Sequence, residues 1–299
     1  MSDERPSGHS LLDQVEGAEK LFLAGRSSRE ADLGSAVRIF LEFLRGFESF
    51  DFAGPCVTVF GSTRFDENHE YYQLAHDLGT ALANDGYAVM TGGGPDIMEA
   101  ANRGAKEAGG LSIGCNIHLP KEQEPNAYLD RFIQMEHFFI CKVMLVKYPS
   151  AFVVMPGGFG TLDETFEVAT LIQTGKLERF PIVGMGLDFW YQLRKFARET
   201  MLTSGVISED DVAFVHPVTS IDEALQFIKA CLSGGDGGTA ALRRRRRLHH
   251  CPFRTGWSES IADDTLRPFR ITNYQFRQPR CRRAGPKAWD YPTDLYPVD

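Results

Sequence analysis

Between residues 55 and 232, short apolar runs alternate with stretches whose apolar residues recur at helical spacing. CVTVF (56–60), YAVMT (87–91), LSIGCNI (111–117), RFIQM (131–135), AFVVM (151–155) and PIVGM (181–185) read as strands. Most are separated by segments that read as helices: 67–85, 97–108, 137–147, 161–175, 189–202 and 221–232. Such alternation is the sign of parallel strands joined by crossover helices, so the expected fold class is α/β, a Rossmann-like doubly wound parallel sheet with flanking helices. Upstream, residues 1–35 are weakly patterned and expected to be weakly ordered. AVRIFLEFLRGFESF follows, with Val37, Phe40, Leu41, Leu44 and Phe47 at helical spacing, and predicts a helix packed on the body. Residues 233–299 hold no sustained period of 2 or 3.6 and are expected to form a mostly disordered tail. The organisation expected is therefore 1–35, a nucleotide-binding or hydrolase domain at 36–232, and the tail at 233–299.

Composition narrows the class. The chain has 299 residues, is 43% hydrophobic and 24% charged, and is long enough to bury a sizeable core. No run of 18 apolar residues occurs and the first ten residues are polar, so a soluble, cytoplasmic protein without a membrane partner is expected. The six cysteines are isolated, with no zinc-like spacing, which disfavours a structural metal or a disulfide framework. Charge is uneven: residues 233–299 carry 13 Lys and Arg against 7 Asp and Glu, leaving 19 basic and 33 acidic residues in the first 232. Arg243–Arg247 could meet an anionic surface, but a like-charge run is more often solvated, and nucleic acid is not an expected partner.

Three strand ends are glycine-rich: GSTR (61–64), TGGGPDIMEAANRGA (91–105) and PGGFGTLDETFE (156–167). Ligands of doubly wound sheets bind beyond the carboxyl ends of the strands. Glycine lets the backbone approach a guest, and the free N–H groups opening the next helix favour an anion, so phosphate is the natural guest. A dinucleotide fingerprint is missing, since the first loop is GSTR and the second strand closes on Met90 and Thr91 without an acid. A Walker A loop is missing too, for no lysine stands where one is required. In the third loop Asp163, Glu164 and Glu167 fall in the first turns of a helix, where acids are favoured by the dipole as caps. Glu164 and Glu167, three apart on one face beside a phosphate loop, also suit catalysis.

GGGPDIMEAANRGA, followed some fifty residues later by PGGFGTLDETFE, resembles the Lonely Guy family of cytokinin-activating phosphoribohydrolases, also labelled lysine decarboxylases. The resemblance covers about residues 35–232, and EQEPN with the extra N-terminal helix looks like the family's larger, second type. It implies hydrolysis of the N-glycosidic bond of a nucleoside 5′-monophosphate, AMP or an N6-modified AMP, to free base and ribose 5-phosphate. No metal and no organic cofactor are implied, and the expected assembly is a homodimer or hexamer. By the resemblance Glu164 is catalytic. Gly157, Gly158, Phe159, Gly160 and Thr161 cradle the phosphate; Ser62, Gly92, Gly93, Gly94 and Met98 shape the pocket; Lys142, Asp163, Glu167 and Thr170 line it. In FFICKVMLVKY, Cys141 stands at the family's catalytic arginine position, followed by Lys142. A thiol cannot reproduce a planar, permanently charged fork, so a non-catalytic nucleotide-binding member of the same fold is the alternative. Asp96, where the family usually has glycine, is expected as a helix cap that would repel a nearby phosphate. A pyridoxal-dependent lysine decarboxylase is a further reading, which would need a Schiff-base lysine.

Overall fold

The computed structural model describes residues 17–25, 27–118, 124–177 and 180–233. Expectations for residues 1–16 and 234–299, the arginine run included, lie outside the described residues.

Seven parallel strands form one sheet in the order β4-β3-β2-β1-β5-β6-β7. They are β1 (Cys56–Phe60), β2 (Ala88–Thr91), β3 (Ser112–Ile117), β4 (Arg131–Met135), β5 (Ala151–Val154), β6 (Ile182–Gly184) and β7 (Val215–Pro217). The central strands are buried along their whole length because helices cover both faces. Strand periodicity divides their side chains into two cores. Val57, Val59, Val89, Val153 and Val183 meet α3 (Glu70–Asn84), α4 (Ile97–Glu107) and α9 (Ile221–Ser233). Cys56, Phe60, Met90, Ile113, Phe152 and Ile182 meet α5 (Phe138–Lys147), α6 (Phe159–Gln173) and α7 (Leu187–Phe196). A Cβ on Gly79 would collide with the Ala101 carbonyl, and one on Gly104 with that of His76. These two glycines therefore let α3 and α4 touch backbone to backbone.

Strand order reverses between β1, which pairs with β2 on one side, and β5 on the other. That switch point opens a crevice beyond the carboxyl ends of β1 and β5.

All six expected strands are present, and the doubly wound parallel sheet is as expected. Several boundaries and elements differ. α1 (Ala18–Phe22) and α2 (Arg29–Ser49) lie within or begin inside the segment expected to be weakly ordered. Ser28 caps α2, its side chain accepting from the Ala31 N–H, so a cap outweighed the weak apolar pattern there. α2 packs on the body through Ile39, Glu42, Phe43 and Gly46, while Phe40, Leu44 and Phe47 are exposed. α3 starts at Glu70 because the Asp66–His69 turn precedes it and His69 caps it through Nδ1. β7 and α8 (Glu209–Val212) were not expected, being three and four residues long. Helix 189–202 is α7 followed by a π-helix, Ala197–Leu202.

Candidate functional site

The three glycine-rich strand ends interlock at the crevice. Ser62, just after β1, donates its backbone N–H to the Pro156 carbonyl at 3.1 Å, and its own carbonyl accepts from Ile97 N–H at 3.3 Å. One residue thus ties the first loop to both the PGG loop and the start of α4. A Cβ on Gly61 would strike Ile97, so only glycine permits this approach. Gly158 is the N-cap of α6, with open space around it and around Gly160. The first backbone N–H groups of α6 have no partner within the helix, and with the helix dipole they can receive an anion. Phe159 is 92% exposed at its mouth, whereas Thr161 is buried and its carbonyl accepts from the Thr165 hydroxyl at 2.6 Å.

A buried polar network holds the second loop. Thr91 Oγ1 donates to Asn102 Oδ1 at 2.6 Å and accepts from Gly93 N–H at 2.8 Å. Asn102 Nδ2 donates to Ser112 Oγ at 2.9 Å, and Asn126 Nδ2 donates both to Asn102 Oδ1 and to the Gly94 carbonyl at 3.1 Å. Asn126 N–H donates to the Gly93 carbonyl at 3.0 Å. Gly93 takes φ 69°, a conformation glycine adopts freely. Sequence reasoning missed Asn102 and Asn126. The signal was available: a polar residue on the inward face of α4, and an asparagine closing the EQEPN insert. Met98 Sδ packs beside Gly92, so Gly92, Gly93, Gly94 and Met98 share one wall.

The acids of α6 meet Lys142 of α5. Lys142 Nζ lies 3.1 Å from Asp163 Oδ2 and 3.2 Å from Glu167 Oε2. The second contact is an ion pair without hydrogen-bond alignment, because Glu167 Oε2 is buried with no hydrogen-bond partner. Burial pulls Lys142 down, but its hydrogen bonds to Asp163 and the nearby charges of Glu167 and Asp163 outweigh that and leave it above its ordinary range. Schiff-base chemistry needs a lysine that readily loses its proton, so Lys142 does not fit a pyridoxal cofactor. Glu164 is the opposite case. Desolvation of its carboxyl group, with Asp163 and Glu167 adding repulsion against the pull of Lys142, pushes it up to about 8. A carboxyl so displaced, at the start of a helix beside an anion site, has the marks of a catalytic group.

Three expected residues sit differently from the rest. Cys141 is 6% exposed and its thiol donates to the Cys115 carbonyl at 3.2 Å. Its hydrogen bonding with Cys115 and its burial, with Glu164 nearby, hold the thiol well above the ordinary range, so it supplies neither a cation nor a thiolate. Asp96 occupies the N-cap position of α4 but makes no side-chain cap hydrogen bond, contrary to expectation. Among the described residues it alone is a non-glycine with positive φ, 60°, a conformation that suits the glycine more usual there. Burial and Asp66 raise its carboxyl. Thr170, one turn beyond Glu167, lines a cavity between α6 and α7. Among the described residues no group of three or more His, Cys, Asp or Glu could hold a metal ion, and no helix is long and apolar enough to cross a membrane.

Residues 98–228 match the model of a family described as possible lysine decarboxylase. The chain is 31% identical over 121 residues to an uncharacterised protein of Archaeoglobus fulgidus, covering 40% of this chain and 75% of that one. It is 29% identical over 170 residues to a protein of Mycobacterium marinum named cytokinin riboside 5′-monophosphate phosphoribohydrolase, covering 55% and 87%. Among solved structures it is similar to a molybdenum cofactor binding protein from Rippkaea orientalis, with 24% identity, a TM-score of 0.45, and coverage of 60% and 98%.

Proposed function

The chain belongs to the Lonely Guy family, whose model is the one described as possible lysine decarboxylase, and from that premise we propose that it hydrolyses the N-glycosidic bond of a nucleoside 5′-monophosphate. The substrate is AMP or an N6-modified AMP, and the products are the free base and ribose 5-phosphate. The observation that carries this reading is Glu164: a desolvated carboxyl group, raised to about 8, on the second turn of the helix that opens the PGGFGT anion site.

Gly157, Gly158, Gly160 and Thr161 hold the 5′-phosphate at the N-terminus of α6. Ser62, Gly92, Gly93, Gly94 and Met98 form the nucleotide wall, fixed by Thr91, Asn102 and Asn126. As the bond between C1′ and the base breaks, its electron pair goes to the base nitrogen, which takes a proton from solvent, and the ribose becomes cationic. Water bonds to C1′ and passes a proton to the Glu164 carboxylate, as carboxylates act in glycoside hydrolysis generally. Ionised Glu164 is costly in the free site because it is desolvated, and a developing positive charge at C1′ offsets that cost. The interaction therefore strengthens in the transition state, which is the condition for catalysis. Lys142 keeps Asp163 and Glu167 neutralised, so that they do not drive Glu164 fully protonated.

The protein acts in the cytoplasm, and as a homodimer or hexamer, an assembly supported by the exposed apolar residues Phe138 and Phe159. Chromatographic detection of adenine from AMP and from adenosine tests the function. Release from AMP with little from adenosine is expected, since the phosphate anchors the substrate. No base from AMP or N6-modified AMP, with either nucleotide still bound, would leave the non-catalytic nucleotide-binding reading instead.

A further inference from the structure

We propose that a cavity on the far flank of α6 binds a small apolar carboxylate, an aromatic or short aliphatic monocarboxylic acid, at a site separate from the PGGFGT loop. The cavity measures about 240 Å³ and lies between α6, α7, the π-helix and β7. Asp163, Glu164 and Glu167 do not line it.

The chemistry of the guest follows from which lining groups are already committed. Phe166, Trp190, Leu193, Met201 and Phe214 supply an apolar interior. Trp190 spends its indole N–H on the Met185 carbonyl at 2.9 Å, so it offers the cavity only its ring. Asp211 accepts from Gln173 Nε2 at 2.9 Å and from Ser208 N–H at 2.8 Å, the latter within a capping box. These neutral donors hold its carboxyl below the ordinary range, so it stays charged, and a carboxylate guest is kept from that end of the cavity and held at the rim. Thr170 adds a neutral hydroxyl, and Arg194 is the cationic group of the lining. It stands exposed at the rim and makes no ion pair or side-chain hydrogen bond among the described residues. An apolar interior with one uncommitted guanidinium at its mouth matches an apolar body ending in a carboxylate, the group that the guanidinium fork meets bidentately.

The wall itself is unusual. Ala197 and Met201 reach the cavity from the π-helix, a turn that is rare and occurs frequently at functional sites.

Calorimetric titration of the full chain with 2-naphthoate, and with its uncharged analogue 2-naphthalenemethanol, tests the proposal. One saturable 2-naphthoate site per chain is expected. Ala169→Trp should fill the cavity and abolish binding of both compounds. Arg194→Gln should weaken 2-naphthoate about tenfold, the scale of one charge-assisted hydrogen bond, and leave 2-naphthalenemethanol unchanged. Arg194 is exposed, so this variant keeps the fold and carries the test even if Ala169→Trp does not fold. No saturable binding to the wild type, as when a second copy of the chain fills the mouth, would overturn the proposal. So would 2-naphthoate affinity indifferent to Arg194→Gln. Neither result bears on hydrolysis of AMP.

Discussion

Glu164 is held where its surroundings oppose its charge. Its folded value of about 8 stands against 4.5 for an ordinary glutamate. Between those values the folded chain holds a proton that the unfolded chain has released, so this group lowers stability progressively as pH rises through the window. Glu164→Gln removes the dependence. Melting curves from pH 4 to pH 9 should therefore show the variant level with wild type at the acid end and increasingly more stable towards pH 8. Equal melting temperatures at every pH would mean that the carboxyl group is well solvated. The Cys141 thiol lies near Glu164 and carries no charge. Cys141→Arg should lower the Glu164 value and raise kcat by about 10- to 100-fold, the scale of one charge-assisted hydrogen bond made in the transition state. It should also lower the melting temperature, because a guanidinium enters a site where the native side chain is almost fully buried. Measured kcat and its pH limb, both unchanged, would show that position 141 does not limit the reaction. The motif showed which residues stand at 141 and 164. The burial of Cys141 was not legible, because it depends on α5 packing against β3.

Among the elements, α4 and α6 carry the site by different means. α6 contributes its N-terminus and one acidic flank. Its first turns were legible because PGGFGT and the paired acids lie within one short segment. The place of Thr170 was not, since it lines a cavity built from α7 and β7, distant in sequence. α4 acts through Asn102, which is fully buried and bonded to Thr91, Ser112, Asn126 and the Ile113 carbonyl. Asn102→Ala leaves several of those groups without partners and should cost about 2 to 4 kcal/mol in urea denaturation. It should also raise KM for AMP, because the Gly93 and Gly94 backbone loses its support. A loss below about 1 kcal/mol with unchanged KM would show that the network neither stabilises nor positions the loop. α2 marks the limit of pattern reading: both of its flanks carry apolar residues, and the register alone favoured the flank that is exposed.

At the scale of the whole molecule, the strand order makes the site. β1 and β5 are neighbours with their chains leading to opposite sides of the sheet, so the loops after residues 60 and 154 open towards one crevice. The alternation of strands and helices made the doubly wound class readable from sequence. The order of the strands was not, since it is fixed by pairings between segments up to about a hundred residues apart, such as β1 with β5. β7 escaped notice because three residues carry too little pattern.

If Glu164 is the carboxylate that drives N-glycosidic hydrolysis, it governs the pH dependence of kcat/KM for base release from AMP, measured in wild type and in Glu164→Gln. Wild-type kcat/KM should climb with pH to a plateau above about 8, as Glu164 ionises in the free enzyme. Glu164→Gln should lose roughly 10² or more in rate, together with that limb, while still binding AMP. Full turnover by Glu164→Gln, or the same rising limb in its profile, would contradict that role for Glu164.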